Sequence, residues 1–167
     1  CAVQAAKLRQ PAKLIAVDVN QNALNMAKEF GATHLINAEK ENVVEAVRKL
    51  TGGNGASKVI VCTGHPKAIE AAVEATAVPG ECFLVGVPPK GCKVEIDPWK
   101  VMHERNITGT LGGDSYPDRD IPAYLELCNK GLLRIDNLIS CVEPFANINE
   151  AVSSMRGKSA GRCMVKF

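Results

Sequence analysis

Apolar positions follow two rhythms along this chain, short unbroken runs and a three-to-four-residue spacing, and the two alternate. Leu14 to Val17 is an unbroken run closed by the carboxylate of Asp18, and the spacing predicts a strand over Leu14 to Val19. Ala23, Leu24, Met26, Ala27 and Phe30 then mark the buried face of a helix, with Asn20 as its N-cap and Gly31 at its end. His34 to Asn37 reads as a short strand, and Val43, Val44, Ala46, Val47 and Leu50 as a helix closed by the loop Thr51 to Gly55. Lys58 to Thr63 is a strand apolar enough to be covered on both faces. Gly64 permits a tight turn, Pro66 suits the start of a helix, and Ile69, Ala72, Val73 and Ala75 form that helix's buried side as far as Val78-Pro79-Gly80. Glu81 to Gly86 is the next strand, Asp97 caps a short helix through His103, and Ile107 to Leu111 alternates as a strand. A helix over Asp118 to Asn129 turns Ile121, Tyr124, Leu125 and Cys128 inward, and another runs from Ile148 to Arg156 behind Asn147. The closing stretch, Arg162 to Phe167, reads as a strand with no evident partner.

Strands alternating with helices at this spacing imply a parallel sheet joined by right-handed crossovers. The expected fold is α/β, a doubly wound parallel sheet of the Rossmann type lacking its first strand and glycine-rich turn. The first residues, Cys1 to Arg9, have apolar side chains at helical spacing with no Ser, Thr, Asp or Asn before them, so the expectation is a helix uncapped and entered part-way. The missing strand would be central, leaving a gap between the Leu14 and Lys58 strands.

Composition narrows the partners more than the fold. The 167 residues are 46% hydrophobic and 23% charged, ordinary for one globular domain, and a net charge of +2 gives no reason to expect nucleic acid or an anionic membrane. No apolar run approaches the roughly 20 residues of a membrane span and none resembles a signal peptide, so the expected location is cytoplasmic. Cys1, Cys62, Cys82, Cys92, Cys128, Cys141 and Cys163 form no C-x-x-C pair, and His34, His65 and His103 add no zinc-finger spacing. These cysteines are expected to be reduced core residues, with no metal site in the chain.

An acid at the end of a second strand is placed to hold a ribose 2′-hydroxyl, which singles out Asp18. The stretches AVQAAKL, IAVDVNQNALNMAKEFGATHLIN, VIVCTG, LVGVPP, GTLGG and VEPFANINEAVSSMRGKSAGRCMVKF, taken in order over nearly the full length, resemble the C-terminal half of zinc-type, medium-chain alcohol dehydrogenases. The resemblance implies an NAD(P)-dependent oxidoreductase that moves a hydride between a zinc-bound alcohol or aldehyde and nicotinamide. It places the zinc ligands and the proton relay in a catalytic domain outside this sequence, so no residue here is expected to be catalytic. On this reading residues 1–167 are a cofactor-binding domain fragment, with 144–167 a tail that would return to the catalytic domain.

Cofactor positions follow from the resemblance residue by residue. Asp18 matches the acid on the adenosine ribose; it can accept from both hydroxyls and would repel a 2′-phosphate, favouring NAD over NADP. The alternative is a carboxylate that caps the Asn20 helix. Val19 matches a position flanking the adenine, while Ala23 stands where the family often has a basic residue. Cys62, Thr63, Gly64 and His65 match the loop over the adenosine half, and ligands at the carboxyl ends of α/β strands support that independently. Gly64 would let backbone approach the cofactor or simply make a tight turn, His65 is a cofactor contact or a solvated loop histidine, and Cys62 reads as packing. Val85, Gly86 and Val87, and then Thr110, Leu111 and Gly112, match the segments whose backbone meets the nicotinamide carboxamide. Arg162 matches a basic residue that reaches the pyrophosphate, or else is a surface arginine before the last strand.

In the same family the strand here spanning Asn106 to Leu111 often pairs with its twin, so a homo-oligomer through that edge is expected, isologous if a dimer. Without the glycine-rich turn, NAD binding by these residues alone should be weak, and turnover absent. Two other readings share the ribose acid: a non-catalytic nucleotide-binding or regulatory module, and a methyltransferase-like domain. The missing first strand speaks against the module, and LVGVPP, GTLGG and the tail from Asp118 speak against the methyltransferase.

Overall fold

The computed structural model describes residues 1–156 and 161–167. In chain order the elements begin α1 (Ala2–Lys7), β1 (Ile15–Asp18), α2 (Gln21–Glu29), β2 (His34–Asn37) and α3 (Val43–Leu50). Next come β3 (Ala56–Val61), α4 (Pro66–Ala75), β4 (Thr76–Leu84), α5 (Pro98–Met102) and β5 (Arg105–Gly109). The last are α6 (Pro117–Asn129), β6 (Ile139–Pro144), α7 (Ile148–Arg156) and β7 (Arg162–Lys166). They gather into two compact units, Cys1–Glu39 with Pro117–Phe167, and Lys40–Tyr116.

In the first unit β1 and β2 are parallel, with Ile15 opposite His34 and Asp18 opposite Asn37. The Asn20 side chain accepts from the Asn22 N–H and starts α2, and Gly31 at φ +110° turns the chain away after it. Ala16, Leu24 and Ala32 form the buried centre, with Val3, Ala27 and Leu35 packed on it. Gln4, only 3% exposed, is held by two reciprocal bonds: its Nε2 donates to the Arg134 carbonyl at 3.1 Å, and its Oε1 accepts from the Arg134 N–H at 2.8 Å. The Arg134 guanidinium in turn donates to the Glu29 carbonyl at 2.6 Å and lies over the Phe30 ring.

Two expectations fail in this unit. The closing strand does have a partner: β7 lies parallel to β6, with Cys141 opposite Cys163, in a sheet the hydropathy pattern does not announce because its half-exposed positions mix polar and apolar residues. The inward face assigned to α6 is exposed, with Ile121 at 55%, Tyr124 at 52% and Leu125 at 53%. The apolar spacing of α6 is there, but no described residue covers it enough to bury it.

In the second unit β3, β4 and β5 run parallel in that order, over a core of Val61, Ile69, Val73 and Cys82 backed by Leu84, Val94, Ile96 and Ile107. Asn42 caps α3 by accepting from the N–H groups of Val44 and Glu45, and Asp97 caps α5 by accepting from Trp99. Helix α4 stops at Ala75, earlier than expected, and the chain enters β4 at Thr76. Thr76 is nearly inaccessible and its hydroxyl donates back to the Ala72 carbonyl at 2.8 Å. The register jumps from Ala56 opposite Thr76 to Lys58 opposite Glu81, so 77–80 form an irregularity inside the strand. Arg105, 5% exposed, donates to the Thr76 carbonyl at 2.6 Å and fixes the start of β5 beside that irregularity.

Strands β1 and β2 form one parallel pair and β3, β4 and β5 one parallel sheet, as the α/β reading expects. The cysteines depart from expectation: only Cys82 is buried, Cys1 and Cys62 are exposed, and Cys141 and Cys163 are bonded as a disulfide with Cα atoms 4.6 Å apart. Side chains on neighbouring residues of paired strands meet whatever the spacing along the sequence, which is why spacing alone misses the pair.

Candidate cofactor site

Asp18 is the last residue of β1, where the strand ends and the backbone turns into α2. Its Oδ1 accepts from the Asn20 N–H at 2.8 Å, so the carboxylate helps shape the turn that presents it, and the residue remains exposed. Both sequence readings of Asp18 therefore share one geometry. A carboxylate held by one oxygen at a strand end keeps acceptor capacity for hydroxyl donors, which fits the chemistry of a ribose diol. Val19 beside it is 55% exposed. In the same unit Arg162 opens β7, is exposed, and donates from Nη1 to the Gly161 carbonyl at 3.3 Å.

In the second unit the expected positions gather at the carboxyl ends of the strands. The Val61 carbonyl, last in β3, accepts from both Val85 at 2.9 Å and Gly86 at 2.8 Å. Those two N–H groups are spent inside the protein, so a ligand would meet this segment through carbonyls or through Val87, which is 74% exposed. A Cβ on Gly64 would lie 2.3 Å from the Val87 carbonyl oxygen, and one on Gly86 2.4 Å from the Thr63 backbone. The two loops thus touch main chain to main chain, and the glycines are required by the protein's own packing. The Thr63 hydroxyl accepts from the His65 N–H at 3.2 Å, and His65 is the exposed N-terminal flank of α4 without a side-chain cap.

Cys62 is exposed, contrary to the packing role read from its apolar neighbours. The protein around it still withholds enough water to push its thiol above the ordinary cysteine value, which keeps it a thiol at neutral pH. After β5 the Thr110 N–H donates to the Leu84 carbonyl at 3.1 Å, and the Thr110 hydroxyl to Asp114 Oδ2 at 2.9 Å. Gly112, Gly113 and Asp114 all have positive φ, +64°, +73° and +51°, and Leu111 at the turn is 82% exposed. Asp114, to which the sequence reading gives no binding role, pins the loop carrying Thr110 to Gly112. Two glycines before an aspartate were its only signal. Among the described residues no three His, Cys, Asp or Glu side chains come together as a metal would need.

Parallel strands joined by helices, with loops and an exposed carboxylate at their carboxyl ends, define a Rossmann-type α/β cofactor-binding domain. The protein belongs to the zinc-binding dehydrogenase family, whose profile matches residues 1–130. The chain is 32% identical to "Alcohol dehydrogenase 1" of Zea mays over 99% of its own length and 44% of that protein's. Identity is likewise 32%, over 98% of the chain and 44% of the relative, for "Alcohol dehydrogenase 1" of Solanum tuberosum. It thus spans a little under half the length of the curated relatives it matches. Among solved structures, benzyl alcohol dehydrogenase from Acinetobacter calcoaceticus superposes with a TM-score of 0.94 at 29% identity, covering 99% of this chain and 46% of that one. A zinc-binding dehydrogenase from Sinorhizobium meliloti, solved bound to NADP, superposes with a TM-score of 0.84 at 25% identity, over 98% of this chain and 47% of that one.

Proposed function

We propose that these residues are the NAD-binding half of a zinc-dependent alcohol dehydrogenase, which transfers hydride between an alcohol or aldehyde and the nicotinamide. The observation that carries the reading is Asp18, an exposed carboxylate fixed at the end of β1 by its bond to Asn20. The cofactor is NAD rather than NADP, because a 2′-phosphate would bring a second negative group against that carboxylate. Val19 flanks the adenine, Cys62 to His65 lie over the adenosine half, and Val85 to Val87 with Thr110 to Gly112 present backbone to the carboxamide. Arg162 reaches toward the diphosphate, for which a guanidinium is well matched.

The zinc and the groups that hold it belong to the remainder of the relatives' length, and these residues alone are catalytically incomplete. Residues 144–167 form a tail that returns to that catalytic part. The edge of β5, which has only β4 beside it among the described residues, pairs with its twin in a homo-oligomer. The working location is the cytoplasm.

Binding of NAD and NADP to the purified protein and to Asp18→Ala tests the cofactor assignment. Hydrogen bonds to a charged group are worth about 1.5–3 kcal/mol, so the variant should lose NAD affinity by roughly tenfold to a hundredfold. NADP affinity should hold or rise. Equal loss for both dinucleotides, or none for either, removes Asp18 from the site.

A further inference from the structure

We propose that Cys141 and Cys163 form a thiol–disulfide exchange site whose redox state sets how firmly β7 is held on β6. The two residues are register partners on neighbouring parallel strands and are joined sulfur to sulfur. The strands they join make a sheet of two, and a two-stranded pair is marginal in water without further support. Further support comes from α7, which packs against both strands and holds the buried Ala151. The Phe145 and Phe167 rings stack with centroids 5.0 Å apart, and the Ser140 hydroxyl donates to the Arg162 carbonyl at 3.3 Å. Val142 and Met164, on the sheet face away from the disulfide, are 59% and 50% exposed. The covalent bridge adds to this non-covalent support and ties the last strand directly to β6.

Both sulfurs belong to half-buried residues rather than to the core, so an exchanging thiol can reach them. The same chain holds exposed cysteines, Cys1 and Cys62, as free thiols. A single disulfide beside exposed thiols suits a protein in a thiol-buffered compartment, where disulfides are characteristically reversible. The reagent is a small-molecule thiol–disulfide couple such as glutathione. In the oxidising direction one cysteine thiolate attacks the small disulfide and expels one small thiolate, and the second cysteine attacks the mixed disulfide and expels the other. The protein loses two thiol hydrogens with two electrons, and one small disulfide becomes two small thiols. Reduction is the reverse.

The test is made on the purified protein without nucleotide, so its outcome is independent of the cofactor reading. Native protein is equilibrated in oxidised or reduced glutathione, then alkylated and digested, with amide exchange of residues 162–166 followed in parallel. The expected results are a Cys141–Cys163 linked peptide in the oxidised buffer and its loss in the reduced one while the protein stays folded. Exchange of the β7 amides should be on the order of tenfold faster after reduction. Cys141→Ser with Cys163→Ser should exchange at the reduced rate in both buffers; if that variant fails to fold, reduced parent protein supplies the comparison. No linked peptide in the oxidised buffer, a link that survives reduced glutathione in the native protein, or equal exchange in both states overturns the proposal.

Discussion

One added carbon at Gly64 or Gly86 would meet main chain, at 2.3 and 2.4 Å, and main chain cannot swing aside as a lysine tip can. Gly64→Ala and Gly86→Ala should each destabilise by about 1–3 kcal/mol or more, through forced separation of the loops after β3 and β4. Gly52, at φ +66° with open space around it, provides the control, and its change to Ala should cost only about 1 kcal/mol for the backbone conformation. Urea unfolding of the three variants reads the difference, and equal costs would remove the packing argument. The place of Asp18 at the end of β1 was legible at this scale because an apolar run that stops at an acid is a local pattern. The true neighbours of Gly64 were not, since a tight turn and a close approach of two loops ask the same thing of a sequence. Cys62 misled for a related reason: apolar flanks along a strand say which stretch is buried, but not that its last residue has already left the core.

Elements lean on one another through Glu74 of α4, which accepts from Arg48 of α3 at 2.7 Å and from Lys100 of α5. The hydrogen bond from Lys100 holds its carboxyl below the ordinary glutamate value, partial burial opposes this, and the charges of Lys100 and Arg48 with Arg48's own hydrogen bond add to the lowering. A carboxylate lowered in the folded protein stabilises it at neutral pH, and that contribution fades as acid protonates the group. Glu74 is one-third exposed, so Glu74→Gln should cost no more than about 1 kcal/mol at neutral pH. The gap from the parent should close as pH falls through the carboxylate range. Urea midpoints at a series of pH values read both, and a gap that widens in acid contradicts the sign. Helix starts at this scale were in part written in the sequence, as Asn20 and Asp97 show, while the Asn42 cap of α3 went unread. Strand β6 was not, because its half-exposed residues alternate too weakly, and β7 was left without its partner as a result. The apolar face of α6 shows the converse: helical spacing identifies a side fit for burial without saying that anything lies upon it.

For the molecule as a whole, alternation of strand and helix was enough to give the parallel α/β class, since a crossover helix leaves little choice of strand direction. The proposed pairing of β5 with its twin belongs to this scale. Sedimentation of the purified protein should give at least twice the mass of one 17.8 kDa chain if the sequence as it stands forms that edge. A monomer with β5 amides exchanging freely would defeat it. The seams of the two compact units fall in the charged run Glu39-Lys40-Glu41 and beside Gly112-Gly113-Asp114 and Pro117, but such stretches also mark ordinary surface loops, so composition alone did not single them out. The unit from Lys40 to Tyr116 is one continuous length of chain, whereas the other closes around Gln4 only when Arg134, 130 residues later, arrives to exchange hydrogen bonds with it. A ribosome emits a chain from its amino end, so during synthesis residues 40–116 can settle while α1 waits for Arg134. The first helix is therefore born long before the partner that buries its glutamine, and the interval is a window in which α1 depends on other company.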